Sequence, residues 1–121
     1  MIKKVLLVDD EEDVRLFLED FLSERDFRVE TAACGEEALR KLEKEPADIV
    51  LLDIMMPGMD GLECLKKIKD KYPKTKVIML TALKDEVRIQ KAQKLGASNY
   101  IVKPFSLDYL EKEIGKLLGP L

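Results

Sequence analysis

The sequence predicts an α/β fold in which five strands and five helices alternate to form a doubly wound parallel sheet. Short apolar runs, typical of strands buried on both faces, alternate with longer segments that have helical spacing of apolar residues. Neither a linker nor a low-complexity segment interrupts this alternation. The chain has 121 residues, enough for one core, so we expect a single domain over residues 1–121.

The first two strand–helix units are read from changes in apolar spacing. Residues 3–8 (KKVLLV) form an apolar run, and residues 11–25 have helical spacing with one apolar stripe. That predicted stripe comprises Val14, Phe17, Leu18, Phe21 and Leu22. Residues 27–31 alternate as a short strand, and residues 35–45 form a helix that Pro46 stops.

The last three units repeat the pattern. Further strands are predicted at residues 48–53, 76–81 and 99–103. Further helices are predicted at residues 60–72, 84–96 and 106–118. Pro73 stops the first of these helices, Gly96 closes the second, and Ser106 is the predicted N-cap of the third. Right-handed crossovers then place helices on both faces of the sheet, and five strands fit the flavodoxin-like order 2-1-3-4-5.

Polar residues end four of the five predicted strands. Asp9 and Asp10 follow the first strand, Asp53 ends the third, Thr81 the fourth and Lys103 the fifth. The carboxyl ends of parallel strands meet at one edge of the sheet, where ligands bind in such folds. Three carboxylates and one ammonium group leave a net charge of −2 there, which one divalent cation would cancel.

The predicted cluster has the chemistry of a magnesium site. It offers oxygen ligands only, and the sequence contains no His, so Mg²⁺ fits, Mn²⁺ is an alternative, and zinc is disfavoured. Mg²⁺ usually takes one or two protein carboxylates, which leaves one carboxylate for another role. Aspartate is a nucleophile towards phosphoryl groups, and a cation and a lysine offset the charge on the moving phosphoryl oxygens.

Composition disfavours several other functions. The net charge of −3 argues against direct nucleic acid binding, and no apolar run approaches the length of a membrane span. The N-terminal residues do not form a signal peptide, so we expect a cytoplasmic protein. Cys34 and Cys64 are too few for a disulfide framework and are expected to be inert thiols.

Four motifs, "VDDEE", "LLDIMMPGMDG", "MLTA" and "KPF", resemble in order and spacing the receiver domain of two-component response regulators, the CheY-like family. The resemblance covers residues 3–118. It implies that Asp53 accepts a phosphoryl group from a phosphohistidine on a sensor histidine kinase or a histidine phosphotransfer protein. It also implies a signalling switch that promotes its own phosphorylation, rather than a turnover enzyme.

The resemblance also assigns roles around Asp53. It implies that Asp10, Asp53 and the main-chain carbonyl of Met55 ligate Mg²⁺, while Asp9 acts largely through water. Lys103 is expected to contact the phosphoryl group.

The same resemblance implies a switch and a change of surface. Thr81 and Tyr100 are the expected switch residues, and the Lys103–Pro104 bond is expected to be cis. Phosphorylation is expected to change the surface near helix 4, strand 5 and helix 5, for binding of a downstream target or onward transfer in a phosphorelay.

We expect the kinase-docking surface to comprise helix 1 and the loop after strand 5. Its predicted members are Val14, Phe17, Pro104 and Phe105. Leu16 lies about 160° from the centre of the apolar stripe at about 100° per residue, so it is predicted to be exposed. Met55 and Leu83 are apolar where a polar side chain would orient an attacking water, which predicts a long-lived phospho-Asp53.

Alternatives remain for the motifs and for the chain. In one alternative, Asp9 and Asp10 have no role beyond starting helix 1, where acidic residues favour the N-terminus. Likewise, Tyr100 has no role beyond packing against the sheet edge. A haloacid-dehalogenase-like phosphatase needs a second acid where Met55 stands, and a flavodoxin-like cofactor binder needs a phosphate-binding loop after strand 1. A pseudo-receiver would lack site residues. The chain is either a single-domain receiver or a piece of a larger regulator.

Overall fold

A computed structural model describes residues 2–82 and 84–119, and its five strands form one parallel sheet in the order β2-β1-β3-β4-β5. The predicted fold class and strand order are therefore confirmed. The strands are β1 (Lys4–Val8), β2 (Arg28–Ala32), β3 (Ile49–Leu52), β4 (Lys76–Thr81) and β5 (Asn99–Val102). Each lies within one residue of its predicted bounds because the apolar runs that define the strands are short and sharply limited.

Five helices follow the five strands, as predicted. They are α1 (Glu12–Ser23), α2 (Gly35–Lys44), α3 (Gly61–Lys71), α4 (Glu86–Lys94) and α5 (Leu107–Leu118). The carboxylate of Asp85 accepts a hydrogen bond from the Val87 amide, so α4 begins two residues later than predicted. Ser106 caps α5 by accepting from the Tyr109 amide, and Gly96, at φ +100°, follows the end of α4.

Two apolar clusters cover the two faces of the sheet. Helices α2, α3 and α4 pack on one face, where Leu42, Leu65 and Ile68 are almost fully buried. Helices α1 and α5 pack on the other, where Leu22 and Leu110 are almost fully buried. Burial of one such side chain contributes about 1.5–3 kcal/mol, so the strand ends are held by a rigid core.

The predicted apolar stripe of α1 is wrong at one position. Phe17 is 59% exposed, whereas Leu18, Phe21 and Leu22 are buried. At about 100° per residue, Phe17 lies about 85° from the centre of the stripe formed by the other four residues, Val14, Leu18, Phe21 and Leu22. It therefore lies beside the face that packs on the sheet. Leu16 is 52% exposed, which confirms its predicted exposure.

The cysteines are separate thiols in the fold. Cys64 is fully buried in α3, and burial raises the pKa of its thiol to about 12. Cys34 is half-buried at the N-cap of α2. Over residues 2–82 and 84–119, no helix has both the length and the apolar character needed to cross a membrane.

Candidate functional site

Three of the predicted site residues lie directly after the ends of strands. Their main-chain amides continue the hydrogen bonding of the parallel sheet by one residue. The Asp9 amide donates to the Ala32 carbonyl at 3.1 Å, and the Asp53 amide donates to the Val8 carbonyl at 3.0 Å. The Lys103 amide donates to the Thr81 carbonyl at 2.8 Å. The side chains of Asp9, Asp53 and Lys103 are thus fixed at the carboxyl-end edge by the strands, not by loops.

Lys103 pairs with two buried carboxylates. Its Nζ lies 2.7 Å from Asp9 Oδ2 and 3.4 Å from Asp53 Oδ2. Both aspartates are only 6% exposed. Burial alone lowers the pKa of Lys103, but the hydrogen bond from its ammonium to Asp9 and the charges of both aspartates outweigh it, so the pKa is raised. The lysine is therefore held in its charged form.

Four carboxylates meet at this edge. Oxygens of Asp9, Asp10, Glu11 and Asp53 all lie within 4.8 Å of one another. Asp10 and Glu11 are exposed, so a cation can reach the cluster from solvent. The oxygen-only donor set and the half-open geometry fit Mg²⁺, which keeps part of its water shell.

Glu11 is a member of the cluster that its sequence position does not predict. The sequence places it at the start of helix 1, yet the chain turns after Asp9 and brings its carboxylate into the cluster. The Glu11 amide donates to Asp9 Oδ1 at 2.9 Å, which holds that turn. The signal in the sequence is the run of five consecutive acids after Val8, but a run alone does not reveal which side chains fold back.

The loop after β3 adds a main-chain contact to Asp53. The Met55 amide donates to Asp53 Oδ1 at 3.1 Å, and the Met55 side chain is 59% exposed. The ligand role of the Met55 carbonyl stays a prediction. Leu83 lies outside the described residues, so the predicted long lifetime of phospho-Asp53 also stays a prediction.

The predicted switch residues lie on neighbouring strands. Thr81 is fully buried at the end of β4, and Tyr100 is half-buried on β5. Burial, with the nearby charge of Asp85, raises the pKa of the Tyr100 hydroxyl. The Lys103–Pro104 bond is cis, as expected. The switch roles of Thr81 and Tyr100 stay predictions.

Two of the four predicted docking residues pack on the same apolar cluster, and the other two are exposed. Val14 and Phe105 are half-buried and pack against the same apolar cluster, between α1, α5 and the sheet. Phe17 is exposed on α1, and Pro104 is exposed on the loop after β5.

Gly61 brings the start of α3 against the chain at Asp53. A Cβ at this position would lie 2.3 Å from the Asp53 carbonyl oxygen and 2.5 Å from Ile54 Cα. The Gly61 amide donates to the Ile54 carbonyl at 2.8 Å, and Asp60 caps the helix by accepting from the Glu63 amide. The loop that carries Met55 is therefore closed by a contact that only glycine permits.

Comparison with known proteins gives a consistent result. Residues 5–115 match the family described as the response regulator receiver domain. The solved structure of response regulator protein TrrA from Thermotoga maritima, in complex with Mg²⁺ and BeF, has a TM-score of 0.88 and 40% identity. That alignment covers 97% of this chain and 100% of TrrA.

Curated relatives differ in length. The chain is 37% identical over 118 residues to sporulation initiation phosphotransferase F of Bacillus subtilis, covering 98% of this chain and 95% of the relative. It is 42% identical over 106 residues to the alkaline phosphatase synthesis transcriptional regulatory protein PhoP of the same organism. That alignment covers 88% of this chain but 44% of PhoP, so the chain spans about half the length of such regulators.

Because of the close approach at Gly61, we expect alanine to destabilise the protein at this glycine but not at Gly115. Gly61→Ala should lower the free energy of unfolding by about 1–3 kcal/mol, because the new methyl group forces the main chain of Asp53 and Ile54 to move. Gly115→Ala is the matched control, since a Cβ there meets no atom within 4 Å, and alanine favours the helix interior. Urea denaturation measures both variants, and equal stability would contradict the packing argument.

Proposed function

Since this chain belongs to the response regulator receiver domain family of two-component signalling, we propose that Asp53 is its phosphoacceptor. The observation that carries the proposal is the placement of a buried carboxylate between a lysine ammonium, 3.4 Å away, and a cluster of acidic oxygens. In this reaction an Asp53 oxygen attacks phosphorus and the phosphorus–nitrogen bond to the donor imidazole breaks. The imidazole keeps the electron pair.

The neighbouring residues supply charge and orientation. Lys103 shares its ammonium between Asp9 and Asp53, so it is placed to contact the phosphoryl oxygens once Asp53 carries the acyl phosphate. Asp9, Asp10, Asp53 and the Met55 carbonyl are the proposed ligands of Mg²⁺, and Glu11 is close enough to contribute through water. A bound cation supplies electrostatic stabilisation of the phosphoryl oxygens during transfer.

The product is proposed to act as a signal and not as a step in turnover. A phosphatase that uses an aspartate nucleophile needs a proton donor two residues later, and that position holds Met55. Thr81 and Tyr100 are the proposed switch residues, linking Asp53 to the surface formed by α4, β5 and α5. Output is then binding of a downstream protein, or onward transfer as the name of the sporulation phosphotransferase describes for that relative.

The proposed phosphodonor is a sensor histidine kinase or a histidine phosphotransfer protein. Its histidine has to reach Asp53 from the carboxyl-end edge, where α1 begins and the loop after β5 lies. Phe17 on α1 and Pro104 on the loop after β5 are exposed, and they offer apolar contacts to a partner. An exposed aromatic of this kind is the type of residue that anchors protein interfaces.

Asp53→Ala is expected to abolish phosphorylation and keep the fold. The variant loses the nucleophile and relieves the repulsion among the clustered carboxylates, so the metal-free form should be at least as stable as the parent. Mass spectrometry after incubation with acetyl phosphate and Mg²⁺ measures the adduct. Asp70→Ala, which removes an exposed carboxylate of α3, is the control. A stoichiometric adduct on the Asp53 variant would refute the assignment.

Mg²⁺ is expected to stabilise the folded protein. By mass action, a cation at a hundredfold excess over its Kd adds about 2.7 kcal/mol to the free energy of unfolding. Thermal denaturation with and without EDTA measures the shift, which Asp10→Asn should reduce. Glu12→Gln is the control, because Glu12 is the next exposed acid outside the cluster. A melting temperature indifferent to Mg²⁺ argues against the metal site.

Phe17→Glu is expected to slow phosphotransfer from a histidine phosphotransfer protein by about tenfold, the effect of losing a moderate interface contact. Labelling by acetyl phosphate should not change, because it needs no docking. Val87→Glu is the control, since Val87 is similarly exposed, at 61%, but lies on α4. Rapid-quench measurements separate the two donors. Unchanged transfer in the Phe17 variant would place the docking surface elsewhere.

A further inference from the structure

A groove of about 500 Å³ lies between α3 and α4, and one end of it is formed by Asp60, the residue before Gly61. Its floor is apolar, formed by the half-buried side chains of Leu62 and Leu95. Its walls carry Lys66 from α3 and Lys91 and Lys94 from α4, all exposed. The groove thus combines an apolar base with a cluster of three ammonium groups.

These lysines are unpaired within residues 2–82 and 84–119. Six other lysines in that part of the chain form ion pairs, namely Lys4, Lys41, Lys67, Lys71, Lys103 and Lys116. Lys66, Lys91 and Lys94 take part in none of the ion pairs found there. In a protein with net charge −3, three adjacent unpaired ammonium groups form a local positive surface.

The acids of the groove lie at one end. Asp60 is the N-cap of α3, where its carboxylate accepts from the Glu63 amide, and Glu63 is 3.8 Å from Lys67. Lys94 and Leu95 lie instead at the last turn of α4, near the opposite edge of the sheet. The positive charge is therefore concentrated towards the amino-end edge.

The groove is long enough for a short helical segment of a polypeptide. On the α3 side its lining runs from the N-cap Asp60 to Lys66, about 9 Å along the helix axis, and on the α4 side it runs from Lys91 to the C-cap Leu95. Val87, which is 61% exposed, lies one turn before Lys91 on α4. Such a groove suits an amphipathic helix that lays its apolar side against two helices.

We propose that the α3–α4 groove docks an acidic amphipathic segment of a partner protein. Its leucine-like side chains contact Leu62 and Leu95, and its acidic residues pair with Lys66, Lys91 and Lys94. This surface contains none of the proposed kinase-docking residues on α1 and the loop after β5, and it shares α4 with the α4–β5–α5 surface. Binding does not need the chemistry of Asp53, so Asp53→Ala should leave the affinity unchanged, and the two proposals fail separately.

The test uses a fluorescein-labelled peptide of about 11 residues, the length of three helical turns, with Leu on one face and Glu on the other. Fluorescence anisotropy with the full chain should give saturable binding that weakens between about 50 and 200 mM salt. The double variant Lys91→Glu, Lys94→Glu should weaken binding by about tenfold or more. The same peptide with Ala in place of Leu should also bind weakly.

The matched control is the double variant Lys44→Glu, Lys112→Glu. Lys44 ends α2 as Lys94 ends α4, and Lys112 lies inside α5 as Lys91 lies inside α4. All four lysines are exposed, and each pair changes the net charge from −3 to −7. Affinity within about twofold of the parent for this control, with a large loss for the groove variant, locates the binding site. Circular dichroism verifies that both variants are folded.

Several results would overturn the proposal. Equal weakening by the two double variants would mean a general charge effect, and undiminished binding of the Ala peptide would mean that the apolar floor has no role. Tighter binding of a thymidine oligonucleotide than of the peptide would identify a polyanion site. A dimer of the parent chain that the groove variant dissociates, measured by sedimentation without peptide, would identify a second copy as the occupant.

Discussion

The sharing of one ammonium group by two buried carboxylates is the interaction on which the rest of the carboxyl-end edge depends. Asp9 and Asp53 are both 6% exposed, and their oxygens lie within 4.8 Å of each other. At an effective dielectric constant of about 20, two unit charges at that distance repel by about 3.5 kcal/mol. Lys103 offsets this repulsion at 2.7 and 3.4 Å. A second cation would act on the same imbalance, which is why the cluster suits a metal.

That pairing is precise because the backbone around it has little freedom to move. Asp53 follows Leu52, which is fully buried, and Lys103 is tied through its amide to the end of β4. Gly61 then brings α3 into main-chain contact with Asp53, so the loop carrying Met55 is held from both sides. Side chains on packed strands keep their relative positions despite thermal motion. This favours phosphoryl transfer, which depends on the alignment of the reacting groups.

Charge is distributed unevenly over this sheet, and the pattern separates structural lysines from available ones. At the amino end of β1, Lys4 is 7% exposed and pairs with Glu30 and Glu45, so it closes that edge. At the carboxyl-end edge Lys103 has a similar role, because it pairs with Asp9 and Asp53. The lysines of the α3–α4 groove have no such partners in the described chain, which leaves their charge available to a ligand.

The sequence by itself determined the succession of strands and helices, the parallel sheet, and the convergence of Asp9, Asp53 and Lys103 at one edge. These follow from local periodicity and from the rule that parallel strands end together. Tertiary structure decided that Phe17 is exposed, that Glu11 joins the acidic cluster, and that Gly61 touches the main chain of Asp53. The physical reason is that periodicity assigns a side chain to a face, whereas contact and burial depend on which neighbour covers that face.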